Sequence, residues 1–217
     1  MSTPGATQTP VGSRVATIDA IAIGASAGGV EALSILLPAL PRNLRAAVFI
    51  VLHLPRDRPS LLAEIFRDKC ARPVSEAHDK ARVEPGSVYF APPDYHLLVD
   101  REAQLAPHLA LSADDPVNFS RPAIDVLFES AADIYGERLL AIILTGANRD
   151  GTAGMQAVQQ AGGIALIQQP RSALVPFMPE SALKQNPGAL VRSLAQIASI
   201  LGSLTDGNSP DIHHATE

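Results

Sequence analysis

Ser26 stands between two glycines in Gly24-Ala25-Ser26-Ala27-Gly28, where an apolar run gives way to a helical pattern. A Gly-x-Ser-x-Gly turn between a strand and a helix is the layout of a nucleophile elbow. Glycine permits a bend that a Cβ would obstruct. The helix start beyond it leaves backbone N–H groups free to receive an oxyanion. Two rival readings stay open on local grounds: a plain glycine-rich turn, and a pyrophosphate loop of a dinucleotide-binding fold. The latter wants Gly-x-Gly-x-x-Gly and an acidic residue ending the next strand. Here Ser26 replaces the second glycine and His53 ends the next apolar run.

His53 is the candidate general base. Ligand sites of open α/β sheets gather at the carboxyl ends of parallel strands, and neighbouring strands lie about 4.8 Å apart. If the strands before Ser26 and His53 are adjacent, the imidazole reaches the hydroxyl. Asp150, in Thr145-Gly-Ala-Asn-Arg-Asp-Gly151, follows another apolar run and puts a carboxylate on the same edge. It suits the role of orienting the imidazole and that of N-cap for the helix it precedes, and both roles can hold together. His96 is the runner-up base. His78 and His108 read as solvated, and Asp94, Asp114, Asp115 and Asp125 are weaker carboxylate candidates. Cys70, the one cysteine, reads as a structural thiol. No Cys pair and no His-Glu-x-x-His offers a zinc site, so no metal site is expected.

These residues need a sheet to position them. The chain alternates strand-like and helix-like segments, which argues for a largely parallel α/β fold. Strands are expected at about 16–24, 47–53, 139–144 and 164–168. Helices are expected after Gly29 (Val30, Leu33, Leu37 and Leu40 inward), at 59–69 (Leu61, Leu62, Ile65 and Phe66 inward), from Pro122 (stripe Ile124, Leu127, Phe128, Ala131, Tyr135), and at 152–161, 177–186 and 190–203. Between them, 87–91 and 96–99 read as two strands joined by a tight turn at Pro92-Pro93-Asp94-Tyr95, with a further strand near 104–111. The expectation is a doubly wound, mostly parallel sheet flanked by helices, with an antiparallel edge hairpin.

The 217 residues suit one domain at about 16–204, between a flexible arm (1–15) and a flexible tail (205–217) that carries His213 and His214. Hydrophobic residues make up 47% and charged residues 18%, as for a folded core. A net charge of −5 gives no support for broad nucleic-acid binding. No run reaches the roughly 20 apolar residues of a membrane span. The arm lacks the apolar stretch of a secretory signal, and the single cysteine fits a cytoplasmic setting.

The motifs, taken together and in order, resemble the catalytic domain of bacterial chemotaxis protein-glutamate methylesterases, the CheB-type family. The resemblance spans about 18–185. It is carried by Ile23-Gly-Ala-Ser-Ala-Gly-Gly29, His53-Leu-Pro55, Val83-Glu-Pro-Gly86, Tyr89-Phe-Ala-Pro92, Pro116-Val-Asn118, Arg121-Pro-Ala-Ile-Asp-Val-Leu-Phe128, Ile143-Leu-Thr-Gly146, Asp150-Gly-Thr-Ala-Gly-Met155 and Met178-Pro179. It implies a cofactor-free serine hydrolase with Ser26, His53 and Asp150 as triad and the backbone N–H groups of Ala27 and Ala147 as oxyanion hole. The implied substrates are γ-glutamyl methyl esters on the cytoplasmic helices of methyl-accepting chemoreceptors, with deamidation of receptor glutamines as a second reaction. Two rivals remain: an esterase of this fold acting on another ester, and a catalytically weak receptor-docking module.

Three departures from the family pattern stand out. Ala147-Asn148-Arg149 replaces the common Met-Gly-Asn before the aspartate. Pro176-Phe177 replaces Phe-Gly before Met178-Pro179. The family usually carries an N-terminal receiver domain, and the 15-residue arm is too short to be one.

Overall fold

The computed structural model describes residues 17–55 and 59–204. The expected arm 1–15 and tail 205–217, with His213 and His214, lie outside the described residues.

Two continuously apolar segments form the centre of the sheet. β1 (Ala20–Ala25) and β2 (Ala47–Leu52) are buried at every position, as strands covered on both faces must be. The other strands are β3 (Val74–Glu76), β4 (Val88–Phe90), β5 (His96–Asp100), β6 (His108–Ser112), β7 (Leu139–Ile143), β8 (Ile164–Gln168) and β9 (Leu190–Arg192). Seven of them make one parallel sheet in the order β3-β4-β2-β1-β7-β8-β9. Strands β2, β3 and β4 lie on one side of β1 and β7, β8 and β9 on the other, so the sheet is doubly wound, and its switch point lies between β1 and β7.

The helices are α1 (Gly29–Leu36), α2 (Leu62–Arg67), α3 (Ile124–Tyr135), α4 (Thr152–Gln160), α5 (Phe177–Gln185) and α6 (Leu194–Gly202). The two-residue strand period divides the core. Ile21, Ile23, Val48, Ile50 and Leu52 point towards α1, α2 and α6, while Ala20, Ala22, Phe49 and Val51 point towards α3, α4 and α5. Small residues on that second face of β1 let α3 lie directly over it. Ile124, Leu127, Phe128, Ala131 and Tyr135 are all buried there. Among the described residues no helix is long and apolar enough to cross a bilayer.

The expected fold class is the one found, with local corrections. The antiparallel hairpin is β5–β6, a separate two-stranded sheet packed by Leu97, Val99 and Leu109 beneath α3. Residues 88–90 instead join the parallel sheet between β3 and β2, so the Pro92-Pro93-Asp94-Tyr95 turn carries the chain from one sheet to the other. The short strands β3 and β9 were not anticipated; β9 takes residues expected to begin a helix. Only Leu62 and Phe66 of the 59–69 stripe are buried, and Leu61 (57%) and Ile65 (41%) face solvent. Six residues of α2 make too short a helix to bury four apolar positions.

Candidate active site

Parallel register places the two central residues. Ala25 is paired with Leu52 at the carboxyl ends of β1 and β2, so Ser26 and His53 are the next residue on each strand. The His53 amide donates to the Ala25 carbonyl at 3.1 Å, and the Ser26 amide to the Thr145 carbonyl, just past β7, at 2.9 Å. Thr145 also ties the serine turn from its side chain, with Oγ1 donating to the Ala27 carbonyl at 2.8 Å. Gly28, at φ +82°, caps α1 in the left-handed region and lets the chain turn into that helix directly after the serine.

Asp150 reaches the same edge from the loop after β7. Its side chain is fully buried and lies 2.9 Å from His53 Nε2 through Oδ2. The same Oδ2 accepts the Ile124 N–H at 2.7 Å, and Oδ1 accepts the N–H groups of Asp125 at 3.1 Å and Gly151 at 3.0 Å. Asn118 Nδ2 stands 3.5 Å from Oδ1. The carboxylate therefore sits on the first N–H groups of α3, where orphan donors and the helix dipole both favour negative charge. The N-cap reading of Asp150 was right in kind and wrong in helix: Gly151, at φ +88°, caps α4, and Asp150 serves α3 instead. Arg149 beside it is exposed, and its guanidinium is not among the carboxylate's partners.

Because Nε2 faces the carboxylate, Nε2 carries the ring proton of neutral His53 and Nδ1 presents its lone pair. Asn148 Nδ2 approaches Nδ1 at 3.4 Å and donates to Ser120 Oγ at 3.1 Å. The amide orientation is fixed by Asn148 Oδ1, which accepts the Asp150 N–H at 3.2 Å. Ser26 and His53 line one open cleft of about 240 Å³ together with Leu54, Phe119, Ser120, Arg121, Pro122 and Asn148. Ser26 Oγ makes no hydrogen bond to any described residue. The same holds for the N–H groups of Ala27 and Ala147, both on exposed residues.

Arg121 stiffens one wall. Its Nε and Nη2 donate to Asp94 Oδ1 at 3.0 and 2.7 Å, and Nη1 donates to the carbonyls of Ala113 and Asp114. That commits Asp94 to structure. Asp114 and Asp115 are exposed. His96 is 1% exposed and lies outside the cleft: Nδ1 accepts the Ala123 N–H at 3.1 Å and Nε2 donates to the Asp115 carbonyl at 3.2 Å. It holds the approach to α3 and is corrected from base to scaffold. His78 is exposed, and His108 stands 3.7 Å from Asp100 on the hairpin. Cys70 is buried, and burial pushes its thiol pKa up.

Asp125, weighed only weakly from the sequence, is a second buried carboxylate at this spot. It accepts the Gly154 N–H at 2.7 Å and Asn118 Nδ2 at 2.8 Å. Burial, with the charges of Asp150 and Glu129, pushes its pKa up to about 6 against the pull of the Gly154 N–H. Asn118 thus spans both carboxylates. The signal for it was the recurrence of Asn and Asp seven residues apart across a helix start, which has no meaning until that helix is placed over Asp150.

Known proteins bear on this geometry. The family model described as CheB methylesterase matches residues 21–201. The chain is 39% identical over 183 residues to the Chromohalobacter salexigens protein-glutamate methylesterase/protein-glutamine glutaminase, covering 83% of this chain and 51% of that one. It is 37% identical over 190 residues to the Salmonella typhimurium protein of the same name, covering 87% and 54%. A Leptospira interrogans chain provisionally named for the same two activities is 38% identical over 190 residues, covering 88% and 96%. The chain therefore spans nearly all of the last and about half of the other two. The crystal structure of the Thermotoga maritima CheB methylesterase catalytic domain superposes with a TM-score of 0.82 at 32% identity, covering 88% of this chain and all of that one. A family match across most of the sequence, relatives well above 30% identity and a shared doubly wound sheet leave one assignment: this chain belongs to the CheB methylesterase family.

Proposed function

We propose that this chain is a protein-glutamate methylesterase working as a serine hydrolase, with Ser26 as nucleophile, His53 as general base and Asp150 as the group that orients His53. The observation that carries the reading is the imidazole pinned through Nε2 to a buried carboxylate, with Nδ1 turned to a cleft shared with an unengaged serine hydroxyl. The proton then has one route. Ser26 Oγ attacks the ester carbonyl as its proton passes to Nδ1. The tetrahedral oxyanion is received by the Ala27 and Ala147 N–H groups, which have no partner among the described residues to give up. Methanol departs with the proton from Nδ1, leaving an acyl-Ser26. Water attacks that ester with Nδ1 again as base, and glutamate and free serine result. With a glutamine substrate, ammonia leaves in place of methanol.

The cleft suits one short side chain presented by a larger molecule. Its volume of about 240 Å³ is below the roughly 300–1,000 Å³ of pockets that engulf drug-sized ligands. Phe119 on its rim is 97% exposed and held at φ +64°, an apolar ring at the mouth of the cleft. In this reading the substrate is a γ-glutamyl methyl ester on the cytoplasmic helices of a methyl-accepting chemoreceptor, met in the cytoplasm.

Asn148 adds a feature of this chain. Its amide points at the lone pair that Ser26 must use, so the Ser26–His53 hydrogen bond forms only when Asn148 lets go. The test is methanol release from methyl-labelled receptor membranes by wild type beside Ser26→Ala. Release by wild type alone supports the reading. Equal release by both removes Ser26 as nucleophile. Turnover of small esters without methanol release from receptors favours an esterase with another substrate.

A further inference from the structure

The opposite edge of the sheet carries a second polar cleft. Asp19 precedes β1, Arg45 lies two residues before β2, and Arg138 directly precedes β7, so parallel register gathers all three at the amino ends of neighbouring strands. Arg101, directly after β5, enters from the hairpin, and Tyr135 closes the end of α3. These residues line a cleft of about 320 Å³. A strand of six residues at about 3.3 Å each separates this edge from Ser26 by roughly 20 Å, so the cleft is no extension of the catalytic one.

Its charges do not balance among the described residues. Arg138 Nη1 pairs with Asp19 Oδ2 at 2.5 Å. Arg45 and Arg101 have no ion pair among the described residues, which leaves two guanidinium groups against no carboxylate. Arg101 Nε is buried and has no hydrogen-bond partner among the described residues. An orphaned buried donor costs about 1–3 kcal/mol, more when charged, and proteins rarely leave one without a ligand or water to satisfy it. Tyr135 is buried beside Arg101 and Arg138, with its pKa pushed up to about 12, chiefly by burial, so near pH 7 the phenol keeps its proton and can donate it.

We infer that this cleft is a binding site for a phosphate dianion, free or as a monoester, held by Arg45, Arg101 and the Tyr135 hydroxyl. Two uncompensated guanidinium groups match two negative charges. The Nε–Nη edge of Arg101 offers parallel donors at the spacing of two phosphate oxygens. A lone ammonium in place of Arg101 would not supply that fork. The cleft is also open enough for a monoester to keep its organic part in solvent.

The test is isothermal titration of the full chain with inorganic phosphate and, separately, with glycerol 3-phosphate, at constant ionic strength set by chloride. One saturable site is expected, with Kd below 1 mM for at least one ligand, and the tighter ligand tells free phosphate from monoester. Arg101→Gln should weaken binding at least tenfold. Arg45→Gln, at an exposed position whose side chain makes no hydrogen bond or ion pair among the described residues, should do so several-fold and covers the case in which the first variant is unstable. Ser26→Ala should bind as wild type does, because the catalytic edge is not involved. Absence of saturable heat for both ligands overturns the proposal. So does unchanged affinity in Arg45→Gln, or loss of binding in Ser26→Ala.

Discussion

Asp150→Asn isolates what the buried carboxylate does. The substitution keeps the shape and changes one oxygen into an NH₂ group. The amide oxygen belongs at the Oδ1 position, where the N–H groups of Asp125 and Gly151 and Asn118 Nδ2 already converge. The NH₂ group then stands at the Oδ2 position, facing the Ile124 N–H and His53 Nε2. Two consequences follow. The Ile124 N–H loses its acceptor, a buried orphan worth about 1–3 kcal/mol. That is tolerable against a total stability of roughly 5–15 kcal/mol, so the variant folds. Asp150→Ala would triple the number of orphaned N–H groups and is the poorer probe.

The second consequence is chemical. An NH₂ group donates to Nε2, so the ring proton moves to Nδ1 and the lone pair turns away from Ser26. A triad with the wrong tautomer loses on the order of 10⁴ in kcat, about 5 kcal/mol of barrier. The assay is methanol release at saturating substrate, with the melting temperature measured alongside. A nitrogen NMR spectrum of labelled histidine should show the His53 tautomer exchanged. Turnover within tenfold of wild type, in a folded variant with the tautomer exchanged, would refute the assignment of Nδ1 as the base.

Three further outcomes are expected. Ser26→Ala should abolish turnover and leave stability within about 0.5 kcal/mol, since its hydroxyl bonds to no described residue; a urea melt checks the second half. Asn148→Ala should raise kcat roughly 2–10-fold, the worth of one neutral hydrogen bond of about 0.5–1.5 kcal/mol released from Nδ1; a fall in kcat would make the Asn148 amide a helper instead of a competitor. Asp125 holds its proton up to about pH 6 in the folded chain, against an ordinary value of 3.8. Between those values the folded state binds more protons than the unfolded one, so raising the pH across that window removes stability, and the slope ends above about 6. Asp125→Asn should lack that slope in urea melts from pH 4 to 7; parallel slopes in the two proteins would place the titration elsewhere.

The sequence exposed what depends on period and punctuation. Ser26, His53 and Asp150 were findable because each follows a short apolar run at a carboxyl end, and in a parallel sheet all such ends share one edge. The partner of each strand was not findable. Residues 88–90 and 96–99 look like a hairpin because both are short, apolar and close in sequence, yet the first pairs across the sheet with Val48–Ile50. Three-residue strands such as β3 and β9 carry too few side chains to show a period at all. His96 misled for a related reason: a histidine at the start of an apolar strand looks the same whether its ring meets a substrate or the Ala123 N–H.

The sequence offers Asp150 both as a catalytic aspartate and as a cap for the helix it precedes, two compatible roles, but not the helix it actually serves: the structure divides a single carboxylate between two clients 26 and 97 positions away in the chain. Oδ2 serves Ile124 and His53 together. Any displacement of α3 along its axis therefore moves the oxygen that His53 follows. The apolar stripe of α3, packed over the small residues of β1, is what keeps that oxygen still. Fold stability and imidazole orientation are coupled at one atom, so a core substitution such as Phe128→Ala, one turn along α3 from Ile124 and outside the cleft lining, should loosen the His53 contact before it unfolds the chain. Sequence motifs cannot show this, because the coupling belongs to no motif: it exists only where the start of one helix and the loop of another meet.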